Sequence, residues 1–164
     1  MANELAEAVK KAATVGDVAA LTELVATHGG PAVRLDGNPA ELTALHWAAA
    51  SGSVEAVRFL LATPVEADPR AARMNNFTPL HSAAMQGHAA VCEVLIAAGA
   101  VVNVQTDPQG YAPLHSAAFA GHVEAIRVLL AHGADRGLVN YRNERPADTA
   151  RRTGQAEAVR VLEA

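Results

Sequence analysis

The sequence predicts an all-α fold, a solenoid of stacked helix-turn-helix units, and three observations support this prediction. The clearest unit opens with Thr-Pro-Leu-His at 78–81, continues with a pair of alanines, and holds a second apolar run at 91–96. The same opening recurs at positions 43, 78, 112 and 145, at intervals of 35, 34 and 33 residues. Glycines at positions 52, 87, 121 and 154 keep the same intervals. A repeat of this length indicates stacked units, each of which buries the apolar face of its neighbour.

The first unit, residues 1–37, is predicted to be an N-terminal capping unit that ends in a long loop. Apolar residues recur at helical spacing from Leu5 to Ala13, and Asp17 is well suited to be the N-cap of a second helix. The charged residues of this unit fit the polar outer face that a terminal repeat requires. The stretch 28–42 holds two prolines and three glycines, which predicts a loop. A loop of this length is either functional or a simple connection, and both alternatives stay open.

Three full units are predicted at 38–72, 73–106 and 107–139. The connection between the first two is longer than the others, and Pro-Val replaces the Gly-Ala that ends the later units. Whether this connection, residues 64–73, keeps the turn geometry of the other units or has a function of its own is left open. The segment 107–110, which reads Asp-Pro-Gln-Gly, predicts a tight turn because proline stands second and glycine fourth.

The first helix of each full unit has a predicted N-cap. Thr43 and Thr78 are expected to accept a hydrogen bond from an early helix N–H, and Pro79 occupies the first helical position, where a missing N–H costs nothing. Ala112 stands where threonine stands in the preceding unit, so its helix should lack a cap worth about 1 kcal/mol.

The last unit, 140–164, is predicted to be a C-terminal capping unit. Ala147 and Asp148 stand where leucine and histidine stand in the other units. Arg151 and Arg152 make its first helix polar, which suits a surface that faces water.

These openings resemble the ankyrin repeat family, whose unit of about 33 residues carries a Thr-Pro-Leu-His-x-Ala signature. Here they read TALH at 43–46, TPLH at 78–81, APLH at 112–115 and a degenerate RPAD at 145–148. The resemblance covers nearly the whole chain and implies one repeat domain over 1–164. It also implies a non-enzymatic protein–protein interaction module, such as an adaptor, an inhibitor or an assembly factor, and it does not identify the partner.

The same resemblance implies where a protein partner binds. In ankyrin proteins the turn tips and the exposed side of the first helices line a concave face. Carried onto this chain, these positions hold two of the three Phe, both Tyr and two of the three Met, and such residues are enriched in interfaces. Phe77 and Tyr111 have an alternative interpretation, in which they pack only on their own repeat. The predicted partner-binding residues are Leu42, Met74, Asn75, Phe77, Met85, Gln86, Gln109, Tyr111, Phe119, Tyr141, Arg142 and Arg152.

Three histidines, His46, His81 and His115, occupy the same place in successive units. Equivalent positions on stacked helices lie roughly 8–10 Å apart, whereas each ligand of one zinc ion must reach within about 2.1 Å of the metal. We therefore predict no metal site. The family resemblance implies instead that this histidine ties a turn to the next repeat. Trp47 and Cys92 are interpreted as core residues.

Other function classes find little support. The sequence has no serine in a nucleophile-elbow pattern and no Walker or Rossmann glycine loop, so we predict neither catalysis nor a cofactor. The formal charge of -4 argues against bulk nucleic-acid binding. Residues 1–126 hold 6 Lys or Arg against 12 Asp or Glu, whereas 127–164 hold 7 Arg against 5 Asp or Glu. The basic C-terminal end is either a solvated cap or a docking point for an acidic segment of the partner.

The remaining expectations concern cellular context. A single cysteine fits a reducing compartment, no apolar run reaches the roughly 18 residues of a membrane span, and the N-terminus lacks the apolar core of a secretory signal. We expect a monomer in the cytoplasm, with the nucleus as the alternative compartment and no contact with membranes or nucleic acid. A self-associating structural subunit and a nucleic-acid-associated factor remain as alternative functions.

Overall fold

The computed structural model describes residues 2–30, 33, 35, 42–62, 65, 67–69 and 75–164. Met74 and most of the two long connections, 28–42 and 64–73, therefore lie outside the described residues. Ten helices have both ends within the described residues, and no strand occurs there. They are α1 (Ala2–Val15), α2 (Val18–His28), α3 (Ala44–Ser51), α4 (Val54–Leu61), α5 (Pro79–Gln86), α6 (Ala89–Ala97), α7 (Pro113–Ala120), α8 (Val123–Ala131), α9 (Pro146–Arg152) and α10 (Ala156–Glu163).

The helices form two layers, and the predicted all-α repeat solenoid is confirmed. The odd-numbered helices from α1 to α9 pack against one another in chain order, and the even-numbered helices from α2 to α10 do the same. Each odd helix also packs against the even helix that follows it, so every unit is an antiparallel pair. Each unit thus rests mainly on its two neighbours, which is the arrangement of a linear repeat stack.

A continuous apolar core runs between the two layers. The first helices contribute Leu45, Leu80 and Leu114, and the second helices contribute residues such as Leu95 and Ile126, all of which are fully buried. Pairs of buried alanines follow each leucine on the first helices and let neighbouring helices approach closely. This alternation of bulky and small side chains explains why the chain is rich in alanine.

Cys92 and Trp47 belong to this core, as predicted. The thiol of Cys92 is fully buried, and the loss of hydration raises its pKa to about 12, so it remains protonated and unreactive. Trp47 is half-buried and packs against the core. The ammonium of Lys10 lies 4.8 Å from the centre of its ring, which adds a cation–π contact between α1 and α3.

The repeated histidines link each unit to the next. The Nδ1 atoms of His46, His81 and His115 accept hydrogen bonds from the backbone N–H of their own N-cap residues at 3.3, 3.1 and 3.2 Å. Their Nε2 atoms lie 2.9, 2.9 and 3.0 Å from the carbonyl oxygens of Phe77, Tyr111 and Glu144 in the next unit. Because Nδ1 accepts, the proton sits on Nε2, which donates to the carbonyl. The predicted link between a turn and the next repeat is confirmed.

Burial favours the neutral form of two of these imidazoles, His81 and His115. Desolvation lowers the pKa of His81 from 6.5 to about 4, against the opposing effect of its hydrogen bond to the Tyr111 carbonyl. The pKa of His115 is lowered for the same reason. A neutral imidazole is the form that both hydrogen bonds require, because Nδ1 must carry no proton.

The cap at Thr78 differs from the prediction. The Thr43 hydroxyl accepts a hydrogen bond from the His46 N–H at 3.4 Å, but the Thr78 hydroxyl makes no such bond. Its oxygen lies 2.9 Å from Nδ1 of His81, and it donates there because that nitrogen carries no proton. Ala112 makes no side-chain cap, as predicted.

The last unit replaces the histidine by Asp148. Its carboxylate accepts a hydrogen bond from the backbone N–H of Arg145 at 3.0 Å, so the contact with the N-cap is kept. The side chains of Arg145 and Arg151 pair with the same carboxylate at 3.1 and 2.8 Å. These contacts, with the Arg145 guanidinium first, lower the pKa of Asp148. A carboxylate has no proton to donate to a neighbouring carbonyl, so Asp148 caps its own helix only.

The glycine that ends the first helix of each full unit is required for two reasons. Gly87 has a φ of 78°, in the left-handed region that favours glycine. A Cβ placed there would lie 2.6 Å from Nδ1 of His122, at the start of the second helix of the next unit. The glycine thus ends α5 and also lets the neighbouring histidine pack against the backbone.

We expect Gly87→Ala to lower the free energy of unfolding by about 2 kcal/mol, because it combines backbone strain with a clash. Gly133→Ala is the matched control, because Gly133 has a φ of 83° and no atom within 4 Å of the added Cβ. The control should cost only the strain, about 1 kcal/mol. Denaturant unfolding of both variants tests this, and equal losses would contradict the role assigned to the close contact.

Candidate protein-binding site

The turns between units are joined into a row by backbone hydrogen bonds. The N–H of Asp107 donates to the carbonyl of Asn75 at 2.9 Å, and the N–H of Tyr141 donates to the carbonyl of Gln109 at 3.0 Å. Each turn therefore fixes the next one at a set spacing. This row places side chains about 30 residues apart in sequence next to one another on one surface.

Six of the predicted residues line one pocket of about 250 Å³ on this surface. It lies between the units at 73–106 and 107–139, at their turns and their first helices, α5 and α7. Both units contribute apolar side chains to its wall, and most of its polar groups come from the turns. The predicted residues that line it are Asn75, Phe77, Met85, Gln109, Tyr111 and Phe119.

Two further residues, Thr106 and Ser116, line the pocket and were not predicted. Thr106 is buried at the base of the turn, where its hydroxyl accepts a hydrogen bond from the N–H of Tyr111 at 3.0 Å. Ser116 follows the buried His115 in α7. The equivalent residue in α3 is Trp47. The replacement of this large side chain by a serine was the one feature of the sequence that indicated free space beside α7.

Met85 and Phe119 are the most exposed apolar side chains of the pocket. They are 39% and 48% accessible and stand at equivalent places on α5 and α7. Both lie near the C-terminal end of a first helix, on the side that faces away from the core. An exposed apolar pair inside a pocket is a favourable contact for an apolar side chain of a partner.

Phe77 and Tyr111 pack on their own units and also line the pocket. The Phe77 ring stacks on His81 at a centroid distance of 5.2 Å and lies 6.4 Å from His46 of the preceding unit. The Tyr111 ring meets His115 edge-on at 5.9 Å. Both side chains are half-buried. They pack on their own units and, held in this way, form a rigid wall of the pocket.

Tyr141 and Arg142 extend this surface towards the C-terminal unit. The Tyr141 ring is 58% accessible and lies 6.2 Å from the Tyr111 ring. The Nε–H of Arg142 donates to the Tyr141 hydroxyl oxygen at 2.5 Å, and its guanidinium carbon lies 5.1 Å from the centre of the Tyr141 ring. Arg142 forms no salt bridge within the described residues.

The other predicted arginine is already paired. The Nε of Arg152 lies 2.9 Å from a carboxylate oxygen of Glu144. Burial alone would raise the pKa of Glu144, but hydrogen bonds from Asn140 and Arg152 outweigh this effect and lower it. The positive charge of Arg152 is therefore largely balanced inside the chain.

The two remaining predicted residues that the structure describes lie outside the pocket. Leu42 is half-buried, Gln86 is exposed at the end of α5, and neither lines the pocket. Within the described residues, no group of His, Cys, Asp and Glu side chains is arranged to hold a metal ion. The helices described here are all too short or too polar to cross a membrane.

A family model described as ankyrin repeats (3 copies) matches residues 9–106 and 101–163. The chain belongs to the ankyrin repeat family. Ankyrin repeats are protein-binding modules, so this assignment places the chain among interaction proteins. The ankyrin fold itself is not catalytic.

Curated relatives contain similar repeats within much longer proteins. A stretch of 104 residues, 63% of this chain, is 35% identical to diacylglycerol kinase iota of Rattus norvegicus and covers 10% of that protein. The corresponding protein of Mus musculus is 34% identical over the same length. A stretch of 97 residues, 58% of the chain, is 32% identical to palmitoyltransferase AKR1 of Lachancea kluyveri and covers 13% of it. The chain matches only about a tenth of these relatives, and the matches run through the ankyrin repeats.

Proposed function

We propose that this ankyrin repeat chain acts as an adaptor, inhibitor or assembly factor. It binds a protein partner through the pocket between the repeats at 73–106 and 107–139. The observation that carries the proposal is the pair of exposed apolar side chains, Met85 and Phe119, inside a pocket with half-buried aromatic walls. Bulky apolar and aromatic contacts in a desolvated pocket provide most of the energy in many interfaces. The hydrogen-bonded turns hold the pocket in shape, so little conformational entropy is lost on binding.

The distribution of charge favours a protein partner over a nucleic acid. Four of the C-terminal arginines, at positions 145, 151, 152 and 160, are paired with carboxylates of the chain itself. The net charge of the chain is -4. A nucleic-acid backbone is normally bound by a stripe of cations that are available for phosphate. A titration with a labelled nucleic acid at low salt tests this alternative, and tight binding would overturn the preference.

We expect Phe119→Ala to weaken partner binding by about tenfold or more while leaving the fold intact, because the ring is half-exposed and stands in the pocket. The matched control is Val101→Ala, which truncates an apolar side chain that is 51% accessible and lies outside the pocket. The control should change affinity less than twofold.

The measurement starts with affinity capture from a lysate of the source cells, followed by titration of the captured protein against both variants. A parallel loss of thermal stability and binding in Phe119→Ala would count against a direct contact. Equal capture by the wild type and by a Met85/Phe119 double alanine variant would move the binding site to another surface. Sedimentation over a concentration range tests self-association, and a dimer that dissociates in this double variant would favour the structural-subunit alternative.

A further inference from the structure

Among the described C-terminal arginines that face the turn surface, Arg142 is the one that makes no salt bridge, although the charge of Glu144 also acts on its guanidinium. Arg152 is held by Glu144, and Arg151 pairs with both Asp148 and Glu163. Arg142 uses its Nε for the Tyr141 hydroxyl, and its terminal nitrogens make no hydrogen bond or salt bridge with the described residues. These two nitrogens carry four N–H donors in one plane, a geometry suited to a carboxylate.

The aromatic contacts fix the position of this cation relative to the pocket. The Tyr111 ring forms part of the pocket wall, the Tyr141 ring lies 6.2 Å further on, and the Arg142 guanidinium lies 5.1 Å from the Tyr141 ring. These distances place the guanidinium at most about 11 Å from the centre of the Tyr111 ring. The apolar pocket and the cation are thus close enough for one short segment to reach both.

The backbone geometry of such a segment sets the spacing. A β-extended chain advances about 3.3 Å per residue and puts every second side chain on one face. A polyproline II chain advances about 3.1 Å per residue and puts every third side chain on one face. Spacings of two and three residues span about 7 and 9 Å on these values, and both lie within the available distance.

We infer that the pocket and Arg142 together recognise an extended segment of a protein partner that carries a bulky apolar side chain and, two or three residues away, an Asp or Glu. The apolar side chain enters the pocket beside its Tyr111 wall, and the carboxylate pairs with the Arg142 guanidinium. This inference rests on the proposed function and makes it more specific, because it assigns the acidic preference to Arg142 and not to Arg152.

The test begins with a phage library of random 12-residue peptides selected on the intact chain. The enriched peptides are expected to share an apolar residue with an acid two or three positions away in either direction. The best peptide is then synthesised with Glu at the acidic position and again with Gln, and each version is titrated against wild type and Arg142→Gln. We expect the wild type to prefer the Glu peptide by about fivefold and Arg142→Gln to prefer it less than twofold.

Arg127→Gln is the matched control, because it removes the same charge from an arginine on α8 that pairs with Glu124 at 3.6 Å. It should keep the fivefold preference for the Glu peptide. That preference should also decrease at high salt, as expected for an exposed ion pair. Circular dichroism of each variant checks that the fold is retained.

The outcomes separate this inference from the proposed function. One outcome is a set of enriched peptides that share an apolar residue but no acidic residue, and that bind Phe119→Ala more weakly than the wild type. This outcome would overturn the inference and leave the pocket proposal standing. Peptides unaffected by both Phe119→Ala and Arg142→Gln would overturn both. A selection without any enriched peptide would overturn the inference, since it requires a linear segment, while a folded partner surface would still satisfy the proposed function.

Discussion

Replacing His81 by alanine is expected to lower the free energy of unfolding by about 4 kcal/mol, the largest effect predicted for a single substitution in this chain. The imidazole is fully buried between two repeats. It accepts the Thr78 N–H at 3.1 Å and donates to the Tyr111 carbonyl at 2.9 Å. Alanine leaves both backbone groups without these partners and opens a cavity beside the Phe77 ring, which stacks on the imidazole at 5.2 Å.

Guanidinium unfolding measures this loss, and hydrogen exchange locates it. Protection should decrease most at the Thr78 and Tyr111 turns, because the histidine connects these two positions. The control is His132→Ala, since His132 is exposed at the end of α8 and its truncation should cost at most about 0.5 kcal/mol. Similar losses in the two variants would contradict a structural role for the buried imidazole.

Acidification should destabilise the stack through the same histidine. The folded-state pKa of His81 is lowered from 6.5 to about 4 by desolvation. Between these values the unfolded chain binds a proton that the folded chain does not bind. The contribution of His81 is therefore fully present above pH 6.5 and is lost as the pH falls towards 4. The shift corresponds to about 3 kcal/mol, and His115 acts in the same direction because its pKa is also lowered.

Unfolding measured at intervals from pH 7.5 to 4 tests this expectation. His81→Gln should have a smaller pH dependence than the wild type, whereas His132→Gln should keep the full dependence. The carboxylates act at lower pH, because the pKa values of Glu144 and Asp148 are lowered from 4.5 and 3.8 and their stabilisation is lost only below those values. The same pH dependence in both glutamine variants would show that His81 is not responsible.

The repeat architecture and its internal links could be predicted from the sequence because they depend on local patterns. The phased Thr-Pro-Leu-His openings predicted the helix pairs, and the family resemblance that these openings carry implied the histidine link between repeats. Cys92 was correctly assigned to the core from its position on an apolar stripe. The hydroxyl of Thr78 does not accept the predicted helix N–H; it contacts Nδ1 of His81, just as the hydroxyl of Thr43 contacts Nδ1 of His46.

Only the tertiary structure brings the residues of the candidate site together in one pocket. Met85 and Phe119 are 34 positions apart in the sequence, and only the stacking of α5 on α7 places both beside one pocket. Thr106 and Ser116 also line this pocket, and no sequence motif around them predicted it. Twelve positions were predicted from the sequence, and six of the eleven that the structure describes line this pocket.

The sequence alone therefore determined the family and the repeat architecture, and the family resemblance implied which residues face the turn surface. The tertiary structure decided which of those residues form a pocket and which arginine remains available. Arg142 and Arg152 are both arginines that the sequence assigned to the same surface. Arg152 pairs with Glu144 at 2.9 Å, whereas Arg142 donates a hydrogen bond to the Tyr141 hydroxyl. Periodicity fixes the face on which a side chain lies, whereas pockets and ion pairs depend on distances of a few ångströms between residues of different repeats, and these are set only when the repeats stack.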